Sequence, residues 1–364
     1  MAAPPASFAS PGSPLDAEDL RVRVQKSLDE FVAGQVPRLD SISEDLSPLV
    51  EAISSLLSGG KRLRPAFCYW GWRGAGGADQ DPIVRAATSL ELLHACALIH
   101  DDVMDGSDTR RGLPAAHRRF AALHRGNGWL GSPEAFGVGG AILLGDLCLC
   151  WADDMLFGCG LDGDALLRAK PVLDEMRTEL MSGQYLDLLE QAMGGESVDR
   201  SRRVMRFKSA KYTVERPLHL GAALAGADEA LLRTYTAYGL PLGEAFQLRD
   251  DVLGVFGDPG ETGKPAGDDL REGKRTVLVA TTLEQASPAD AALLRRHLGD
   301  PHLSTSGVQE AREVIATTGA LAHVETMIAE LTSAALAALD AGDVAEPART
   351  VLAELAIAAT ERTG

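Results

Sequence analysis

Most segments of the chain from Ala17 onward carry apolar residues at the spacing of an α-helix. Residues three or four positions apart share one face of a helix, whereas a half-buried strand requires strict alternation of apolar and polar residues. Such alternation is scarce in this sequence. Clear helical stripes run through Leu20, Val24, Leu28 and Val32, and through Val84, Ala87, Leu90, Leu93 and Ala97. The pattern predicts an all-α protein.

Length and composition allow one large domain or two small ones, because 45% of the 364 residues are hydrophobic. Residues 1–17 are rich in Ala, Pro and Ser and are predicted to form a disordered tail. No shift in composition marks a later boundary, so residues 18–364 are predicted to form a single helical domain. Among the predicted helix breaks, the segment Gly126–Gly139 is glycine-rich, and the polar loop Gly257–Gly273 has the length of a binding loop or lid.

The net charge of −17 argues against binding to nucleic acid or to an anionic membrane. The five cysteines form no CxxC pair and lie mainly in apolar stretches, which is typical of reduced core residues. No basic and apolar leader precedes a cleavage site, and no uncharged apolar run is long enough to span a bilayer. The predicted location is therefore the cytoplasm, without stable insertion into a membrane.

A first aspartate cluster, Asp101-Asp102-Val103-Met104-Asp105, follows an apolar stretch and precedes Arg110-Arg111-Gly112. On a helix, Asp101 and Asp105 project from the same face one turn apart, and their like charges repel. A divalent cation removes that conflict, and Mg²⁺ suits it because it takes one or two carboxylates and completes its shell with water and phosphate. Asp102 is rotated by roughly 100° and is predicted to be a hydrogen-bonding group.

A second aspartate cluster lies at Gln247-Leu248-Arg249-Asp250-Asp251, again in an apolar helical stretch. The residue four positions after Asp250 is Gly254, so this cluster lacks a third carboxylate at the matching place. Asp250 is predicted to be the principal metal ligand here. Whether Asp251 or Asp258 replaces the missing carboxylate stays open.

Lysines and arginines accompany both clusters. In Gly59-Gly60-Lys61-Arg62-Leu63-Arg64-Pro65, Lys61 and Arg64 are three positions apart and can face one anion, while Arg62 should point elsewhere. Lys264 and Lys274 lie in glycine-bounded turns, where a lysine is either a solvated charge or a phosphate ligand.

Three further signals are weak when taken alone. His94 lies on an otherwise apolar helix, where a buried structural histidine is the usual explanation. Lys208 and Ser209 form a lysine–hydroxyl pair, and Gly183-Gln184-Tyr185-Leu186-Asp187 adds a polar set in an apolar context. For each of these two sets, taken alone, a solvated helix face is the more common explanation.

Taken together, the motifs resemble those of the trans-isoprenyl diphosphate synthases, or polyprenyl synthetase family, in the same order from about Leu56 to Leu278. The matching motifs are GGKRLRP at 59–65, LLHACALIHDDVMD at 92–105, RRG at 110–112, GQYLD at 183–187, KS at 208–209 and FQLRDD at 246–251, followed by Lys264 and Lys274. The resemblance implies a bundle of mostly antiparallel helices around a central cavity, usually as a homodimer.

The resemblance also assigns residues to roles. The implied metal ligands are Asp101, Asp105 and Asp250. The residues implied to hold isopentenyl diphosphate are Lys61, Arg64, His94 and Arg111. Those implied around the allylic diphosphate are Arg110, Lys208, Ser209, Gln247, Lys264 and Lys274, of which Arg110, Lys208, Gln247 and Lys264 are taken as catalytic. Ser209 stands where threonine is usual, and Gly254 stands where a third aspartate often lies.

The implied reaction is a head-to-tail condensation of isopentenyl diphosphate with dimethylallyl, geranyl or farnesyl diphosphate. The expected cofactor is Mg²⁺, as three ions with substrate bound, and the two aspartate clusters are expected to face each other across the cavity. In the family, bulky aromatics just before the first cluster stop chain growth at farnesyl, but here those positions hold the small residues Cys96 and Ala97. Leu93, with Trp151 or Phe157, is expected to form a deeper floor. The predicted product is geranylgeranyl diphosphate (C20).

The alternatives are a farnesyl or longer-chain polyprenyl diphosphate synthase, a terpene cyclase and a non-catalytic partner subunit. A cyclase needs a single diphosphate site, which would leave Lys61, Arg64 and Arg111 without a task. Non-catalytic subunits of this kind typically lose their metal-binding aspartates, whereas both clusters are present here.

Overall fold

The computed structural model describes residues 13–257 and 267–361. The helices of the N-terminal part are α1 (Leu20–Asp40), α2 (Ser47–Leu57), α3 (Leu63–Gly74), α4 (Asp81–Asp105), α5 (Ala116–Gly126), α6 (Pro133–Phe157) and α7 (Gly163–Met193). They are followed by α8 (Val198–Val204), a π-helix (Met205–Glu215), α9 (Arg216–Ala225), α10 (Glu229–Phe256), α11 (Asp268–Arg271), α12 (Val277–Gln285), α13 (Pro288–His297), α14 (Thr305–Thr317), α15 (Ala320–Ala341) and α16 (Ala348–Thr360). Within the described ranges the only strands are β1 (Thr109–Arg110) and β2 (Leu113–Pro114), so the all-α prediction is confirmed.

The chain divides into two compact units. The first unit comprises 11–69 and 78–166, and thus holds α1, α2, most of α3, α4 to α6 and the β-hairpin. The second unit comprises 70–77 and the chain from 167 onward, with most of α7 and all later helices. The single domain from 18 to 364 stays a prediction.

In the first unit α4 packs along α6, which also packs against α5. The glycine-rich break predicted at 126–139 is shorter than expected, because Ser132 caps α6 by accepting a hydrogen bond from the Ala135 amide (3.2 Å). A Cβ atom built on Gly140 would lie 2.9 Å from the Phe120 ring. The glycines at this point therefore allow α5 to approach α6 rather than ending the helix.

In the second unit α10 packs against α15 and against the π-helix. The core of this unit is a cluster of buried aliphatic residues that includes Leu248, Val252, Leu278, Ile315 and Val324. These residues hold the middle of α10 in place, so the aspartates that follow Leu248 are carried by a well-packed helix.

The disordered tail was predicted to reach residue 17, and its last residues contradict that prediction. Pro14–Asp19 form a short 3₁₀ turn that begins at Ser13, and Leu15 is completely buried. Burying that leucine offsets the entropy of ordering the turn, an effect that Ala/Pro/Ser composition alone does not reveal. Residues 1–12 lie outside the described residues.

Two helices, α4 and α6, are long and apolar enough by length and composition to cross a membrane, although charged residues such as Glu91 and Asp146 interrupt them. In α4, 72% of the most apolar window is buried, as expected for the core helix of a folded unit. In α6 only 39% of the window is buried. The α6 residues Phe136, Val138, Ile142, Leu143 and Phe157 are exposed.

Candidate active site

The first aspartate cluster forms the C-terminal turns of α4, which ends at Gly106 in the left-handed conformation (φ 67°). Asp102 is buried, and its Oδ1 accepts a hydrogen bond from Arg110 Nε at 2.9 Å. Arg110 Nη2 also lies 3.6 Å from Asp101 Oδ2. Burial raises the pKa of the Asp102 carboxyl, and the charge of Arg110 opposes that rise. Asp102 is thus the hydrogen-bonding group that its helical position predicted, while Asp101 and Asp105 remain partly exposed.

Arg110 and Arg111 lie in the hairpin that follows α4. Arg110 pairs with Leu113, which leaves Arg111 and Gly112 as the two turn residues, with φ angles of 53° and 75°. A two-residue turn with positive φ at both positions matches the twist of a hairpin, although a non-glycine residue there is strained. This turn directs Arg111 away from Arg110, so the two arginines have different partners.

Arg111 connects the hairpin to the basic loop that precedes α3. Its guanidinium donates hydrogen bonds to the carbonyl oxygens of Leu56 (2.8 Å) and Gly59. A Cβ atom on Gly60 would lie 2.9 Å from Arg111 Nη2, so the glycine makes room for the arginine. The structure therefore brings Arg111 to the same loop that carries Lys61 and Arg64.

Arg62 points away from that group, as its position predicted. It is buried, pairs with Glu91 and donates to Gln25 Oε1 at 2.6 Å. Its φ of 59° is the positive value of a strained turn residue. Lys61 is exposed and Arg64 is partly exposed. Of the three cations in this loop, Arg62 is therefore buried in the protein, whereas Lys61 and Arg64 are accessible to solvent.

His94 lies among the arginines of the first unit. Burial and repulsion by Arg64, Arg111 and Arg110 hold the pKa of His94 well below its usual value, so the imidazole is neutral at neutral pH. Such a histidine donates a hydrogen bond without adding charge. The concentration of positive charge around it is a property of an anion-binding site.

In the second unit, Lys208 and Ser209 lie on the π-helix. Lys208 Nζ lies 2.6 Å from Oδ2 of the buried Asp187. A Cβ atom on Gly183 would lie 2.8 Å from Lys208 Cα, so the glycine allows α7 to touch the π-helix backbone. The Gly183–Asp187 motif was a weak signal in the sequence. In the structure Gly183 lies against the backbone of Lys208 and Asp187 pairs with its side chain, so the motif positions Lys208. Irregular π-turns of this kind are frequent at functional sites.

The second aspartate cluster lies on α10. Gln247 Nε2 donates to Asp251 Oδ1 at 2.9 Å, and Asp251 is 5% exposed. Burial, together with Asp269 and Asp250, raises the pKa of Asp251 well above its ordinary value, and the Gln247 hydrogen bond opposes this. Asp250 is partly exposed, so the two neighbouring carboxylates differ in exposure, and the role of Asp250 as the principal metal ligand stays a prediction.

Lys274 follows α11 and lies 2.6 Å from Glu272 Oε2 and 3.4 Å from Asp269 Oδ1. Lys264 and Asp258 lie outside the described residues, as does most of the predicted lid Gly257–Gly273. Their roles therefore stay predictions.

The predicted chain-length residues differ in their surroundings. Ala97 shares the face of Asp101 one turn earlier and is partly exposed, whereas Leu93 is buried. Cys96 is completely buried, and its Sγ lies 3.7 Å from His100 Nδ1. His100 in turn lies 3.1 Å from the Ile142 carbonyl of α6, so Cys96 belongs to the α4–α6 contact. Trp151 is buried with its ring 6.1 Å from that of Phe31, and Phe157 is exposed.

Carboxylate oxygens are the ligands that Mg²⁺ prefers, and Asp101 and Asp105 present them on one helix face. Among the residues that the structure describes, no group of three or more His, Cys, Asp or Glu could hold a metal ion by itself. Mg²⁺ typically takes one or two protein carboxylates and completes its shell with water and phosphate oxygens.

Comparison with known proteins places this geometry in a family. The model of the polyprenyl synthetase family matches residues 47–315. The chain belongs to the polyprenyl synthetase family. A geranylgeranyl pyrophosphate synthase from Corynebacterium glutamicum, solved with isoprenyl diphosphate and magnesium, is 45% identical with a TM-score of 0.90, covering 93% of this chain and 98% of that one.

Two curated relatives agree with this assignment. A geranylgeranyl diphosphate synthase of Mycobacterium tuberculosis is 35% identical over 283 residues, which is 78% of this chain and 75% of the relative. A geranylfarnesyl diphosphate synthase of Aeropyrum pernix is 33% identical over 276 residues, or 74% and 79% of the two chains. The predicted family, its all-α fold and the prenyltransferase class of the enzyme are confirmed.

The structure adds residues whose importance the sequence analysis missed. Glu91 holds Arg62, and Asp269 approaches α10 beside Asp251. Glu91 was not singled out because it is a single charge in an apolar helix, just before the motif at 92–105. Asp269 lies in a polar segment, where an aspartate is normally a solvated charge.

Proposed function

We propose that this enzyme condenses isopentenyl diphosphate with an allylic diphosphate in a Mg²⁺-dependent reaction and releases geranylgeranyl diphosphate and diphosphate. One observation carries the proposal: in the first unit Arg64 and Arg111 lie close enough to His94 to lower its pKa, and Arg111 is hydrogen-bonded to the basic loop that also carries Lys61. A single diphosphate bound at the aspartates would leave these cations without a ligand. Two diphosphate sites indicate a two-substrate transferase rather than a cyclase.

The allylic diphosphate binds beside the aspartate clusters. Asp101, Asp105 and Asp250 would hold Mg²⁺, proposed as three ions, and the metal would neutralise the charge that develops on the leaving diphosphate. Arg110 and Lys208, each positioned by a buried carboxylate, donate hydrogen bonds to its oxygens, and Ser209 and Gln247 add polar contacts. Lys264 and Lys274 complete the proposed set of cations.

Isopentenyl diphosphate binds at the basic loop. Lys61, Arg64 and Arg111 bind its phosphate oxygens, and His94 donates a neutral hydrogen bond. Fixing the second substrate in this way places its double bond against the allylic carbon, and such positioning contributes on the order of 7–11 kcal/mol. The departing diphosphate is the proposed base for the final proton loss.

The chain-length proposal depends on Ala97. Its small side chain lies one turn before Asp101 on the same face of α4, so a growing isoprenoid is not stopped there, and Leu93 one turn deeper is part of the proposed floor. Relatives named for C20 and C25 products support growth beyond farnesyl. Farnesyl and longer polyprenyl products remain the alternatives.

The reaction is tested with pure protein, isopentenyl diphosphate and farnesyl diphosphate. We expect a C20 alcohol after hydrolysis of the product, and no product with EDTA. A product of C15 only would contradict the length, and diphosphate release from farnesyl diphosphate alone would favour a cyclase.

Replacing Ala97 tests the floor of the cavity. Ala97→Phe should shorten the product to C15 because an aromatic ring would block the face of α4 below Asp101. Cys96→Phe is the matched comparison. Since Cys96 is completely buried, we expect that variant to lower the melting temperature, and a shortened product from it would show that Cys96 also limits chain length. An unchanged product from Ala97→Phe would place the floor elsewhere.

We further propose a cytoplasmic homodimer formed through α6. Ile142, Leu143 and Phe136 of this helix are 43%, 66% and 42% exposed, which is unusual for neighbouring apolar side chains of a folded protein. Light scattering should give twice the monomer mass for the native protein and a monomer for Leu143→Glu. A monomeric native protein that binds lipid vesicles would instead make this face a membrane surface.

A further inference from the structure

Three residues of α7 face the π-helix at a spacing of four. They are Glu179, Gly183 and Asp187, and residues four apart share one face of a helix. Gly183 touches the backbone of Lys208, and Asp187 pairs with its ammonium group. Glu179 lies one turn earlier and accepts a hydrogen bond from Nζ of Lys211, which is also on the π-helix. One stripe of α7 therefore holds two lysines of the π-helix.

The pair of Glu179 and Lys211 is largely removed from water, since the two side chains are 13% and 16% exposed. Burial acts to raise the pKa of Glu179, but hydrogen bonds from Arg216 and Lys211 outweigh it and hold that pKa below its ordinary value. The pair is therefore charged at neutral pH. Arg216 donates to the same carboxylate at 2.6 and 2.8 Å, so Glu179 has two cationic partners.

Lys211 also contacts the residue that precedes Lys208. Its Nζ lies 5.3 Å from the centre of the Phe207 ring, which is within the range of a cation–π contact. Oε2 of Glu215, the last residue of the π-helix, lies 3.7 Å from the same nitrogen. The Lys211 ammonium thus connects α7 to the beginning and to the end of the π-helix.

Helix α10 also approaches the π-helix closely. A Cβ atom on Gly243 would lie 2.7 Å from Ala210 Cα, and one on Gly239 would lie 2.9 Å from Glu215 Cα. π-Helices are rare and mostly limited to a single turn, whereas this one has 11 residues. Its conformation, and with it the position of Lys208, therefore depends on the contacts with α7 and α10.

We propose that Glu179 and Lys211 are positioning residues for Lys208, because they fix the π-helix that presents Lys208 to the allylic diphosphate. The inference rests on the proposed function, which assigns Lys208 to that diphosphate. The pair acts through the backbone of the π-helix and not by touching the substrate. Its loss should therefore affect the allylic substrate more than isopentenyl diphosphate, whose proposed ligands Lys61 and Arg64 lie in the first unit.

The test compares Lys211→Met with Lys211→Arg, varying each substrate while the other is saturating. Methionine removes the charge, and Arg216 remains as the partner of Glu179. Lys211→Met should lower kcat/KM for farnesyl diphosphate by on the order of 10- to 100-fold, because displacing a catalytic group by about 1 Å is enough for such a loss. The KM for isopentenyl diphosphate should stay close to the native value. Lys211→Arg should recover most of the native rate, since it keeps a cation beside Glu179 and Phe207.

Lys170→Met is the matched control on α7. Lys170 pairs with Asp174, but these two side chains are 54% and 52% exposed. The same chemical change there should leave the kinetic constants close to the native values, because an exposed ion pair contributes little. Equal losses in Lys170→Met and Lys211→Met would overturn the inference.

A double-mutant cycle tests whether Lys211 acts through Lys208. In a Lys208→Met background, a loss that depends on the position of Lys208 cannot occur a second time. Adding Lys211→Met to that background should therefore lower kcat/KM little further. A general structural effect of Lys211→Met would instead multiply with that of Lys208→Met, and this result would overturn the inference.

Thermal unfolding followed by circular dichroism verifies that each variant is folded. Should Lys211→Met fail to fold, Glu179→Gln gives the same test, because it leaves Lys211 beside Glu215 and Arg216 beside Glu175. If the native protein is an active synthase while a folded Lys211→Met variant has native kcat/KM for farnesyl diphosphate, only the inference fails. If the native protein forms no product from the two diphosphates, the proposed function fails.

Discussion

Each aspartate cluster contains an adjacent pair of aspartates, Asp101-Asp102 and Asp250-Asp251, but the two pairs are stabilised differently. In the first, the buried Asp102 accepts hydrogen bonds from a charged partner, Arg110. In the second, the buried Asp251 accepts one from the neutral amide of Gln247. The first cluster is also contiguous on one helix, whereas in the second the side chain of the later residue Asp269 lies against Gly254.

This difference shows two ways in which one protein stabilises a buried aspartate carboxylate. An arginine beside the first cluster neutralises its buried charge within the protein itself. In the second cluster the buried Asp251 is hydrogen-bonded by an amide instead of an arginine, and Lys274 is shared between Asp269 and Glu272. An amide carries no net charge, so it offsets the charge of a buried carboxylate less than an arginine does. We therefore expect the second cluster to depend more strongly on metal for its stability.

The largest predicted effect is on catalysis. Asp101→Asn and Asp250→Asn should each lower kcat/KM by about 10²- to 10³-fold, because each removes a charge that stabilises the leaving diphosphate. Steady-state rates with isopentenyl and farnesyl diphosphates measure this. A large loss in one variant and none in the other would mean that the clusters do not act on the same diphosphate.

Asp108→Asn provides the control for both variants. Asp108 lies just after the first cluster, its side chain is 78% exposed, and it pairs with Arg118. The same chemical change there should leave kcat/KM within about two-fold, because an exposed ion pair contributes little. A comparable loss from Asp108→Asn would show that general surface charge, and not metal binding, limits the rate.

Much of the fold could be predicted from the spacing of residues close together in the sequence. Helical periodicity was sufficient to predict the all-α fold, and the four-residue spacing of Asp101 and Asp105 was sufficient to place them on one face. The rotation per residue was also sufficient to predict that Asp102 is a hydrogen-bonding group. Each of these inferences depends on residues within one or two turns of a single helix.

Features that depend on contacts between distant segments were not predictable in this way. Gly254 looked like a lost ligand, although the structure shows it as space for Asp269. Glu91, the partner of Arg62, lies on a different helix from the basic loop. Leu15 was assigned to a disordered tail because burial of one leucine depends on the surface that receives it.

The second predicted effect is on stability and compares the two buried aspartates directly. Asp102→Asn should lower the free energy of unfolding by about 1–3 kcal/mol, because it leaves the half-buried Arg110 without its main partner. Asp251→Asn should leave it unchanged or raise it in metal-free protein, because it removes a buried charge that has only an amide donor. Urea unfolding with EDTA measures both, and equal losses would remove the distinction between the clusters.

The smallest predicted effect concerns His94 and the arginines that accompany only the first cluster. Because the folded-state pKa of His94 lies well below the ordinary value of 6.5, the folded protein binds fewer protons there than the unfolded chain. Its contribution to stability is therefore present above pH 6.5 and is lost as the pH falls toward the folded-state pKa.

His94→Gln keeps a neutral hydrogen-bonding side chain and removes this titration. The melting temperature of the native protein should therefore fall more steeply than that of His94→Gln between pH 7 and pH 5, with metal removed from both. The Michaelis constant for isopentenyl diphosphate should change only a few-fold in this variant, because the charge that binds the diphosphate comes from the arginines. Parallel melting curves across that pH range would mean that His94 is protonated beside Arg64 and Arg111, and that the first cluster has less positive charge around it than the structure indicates.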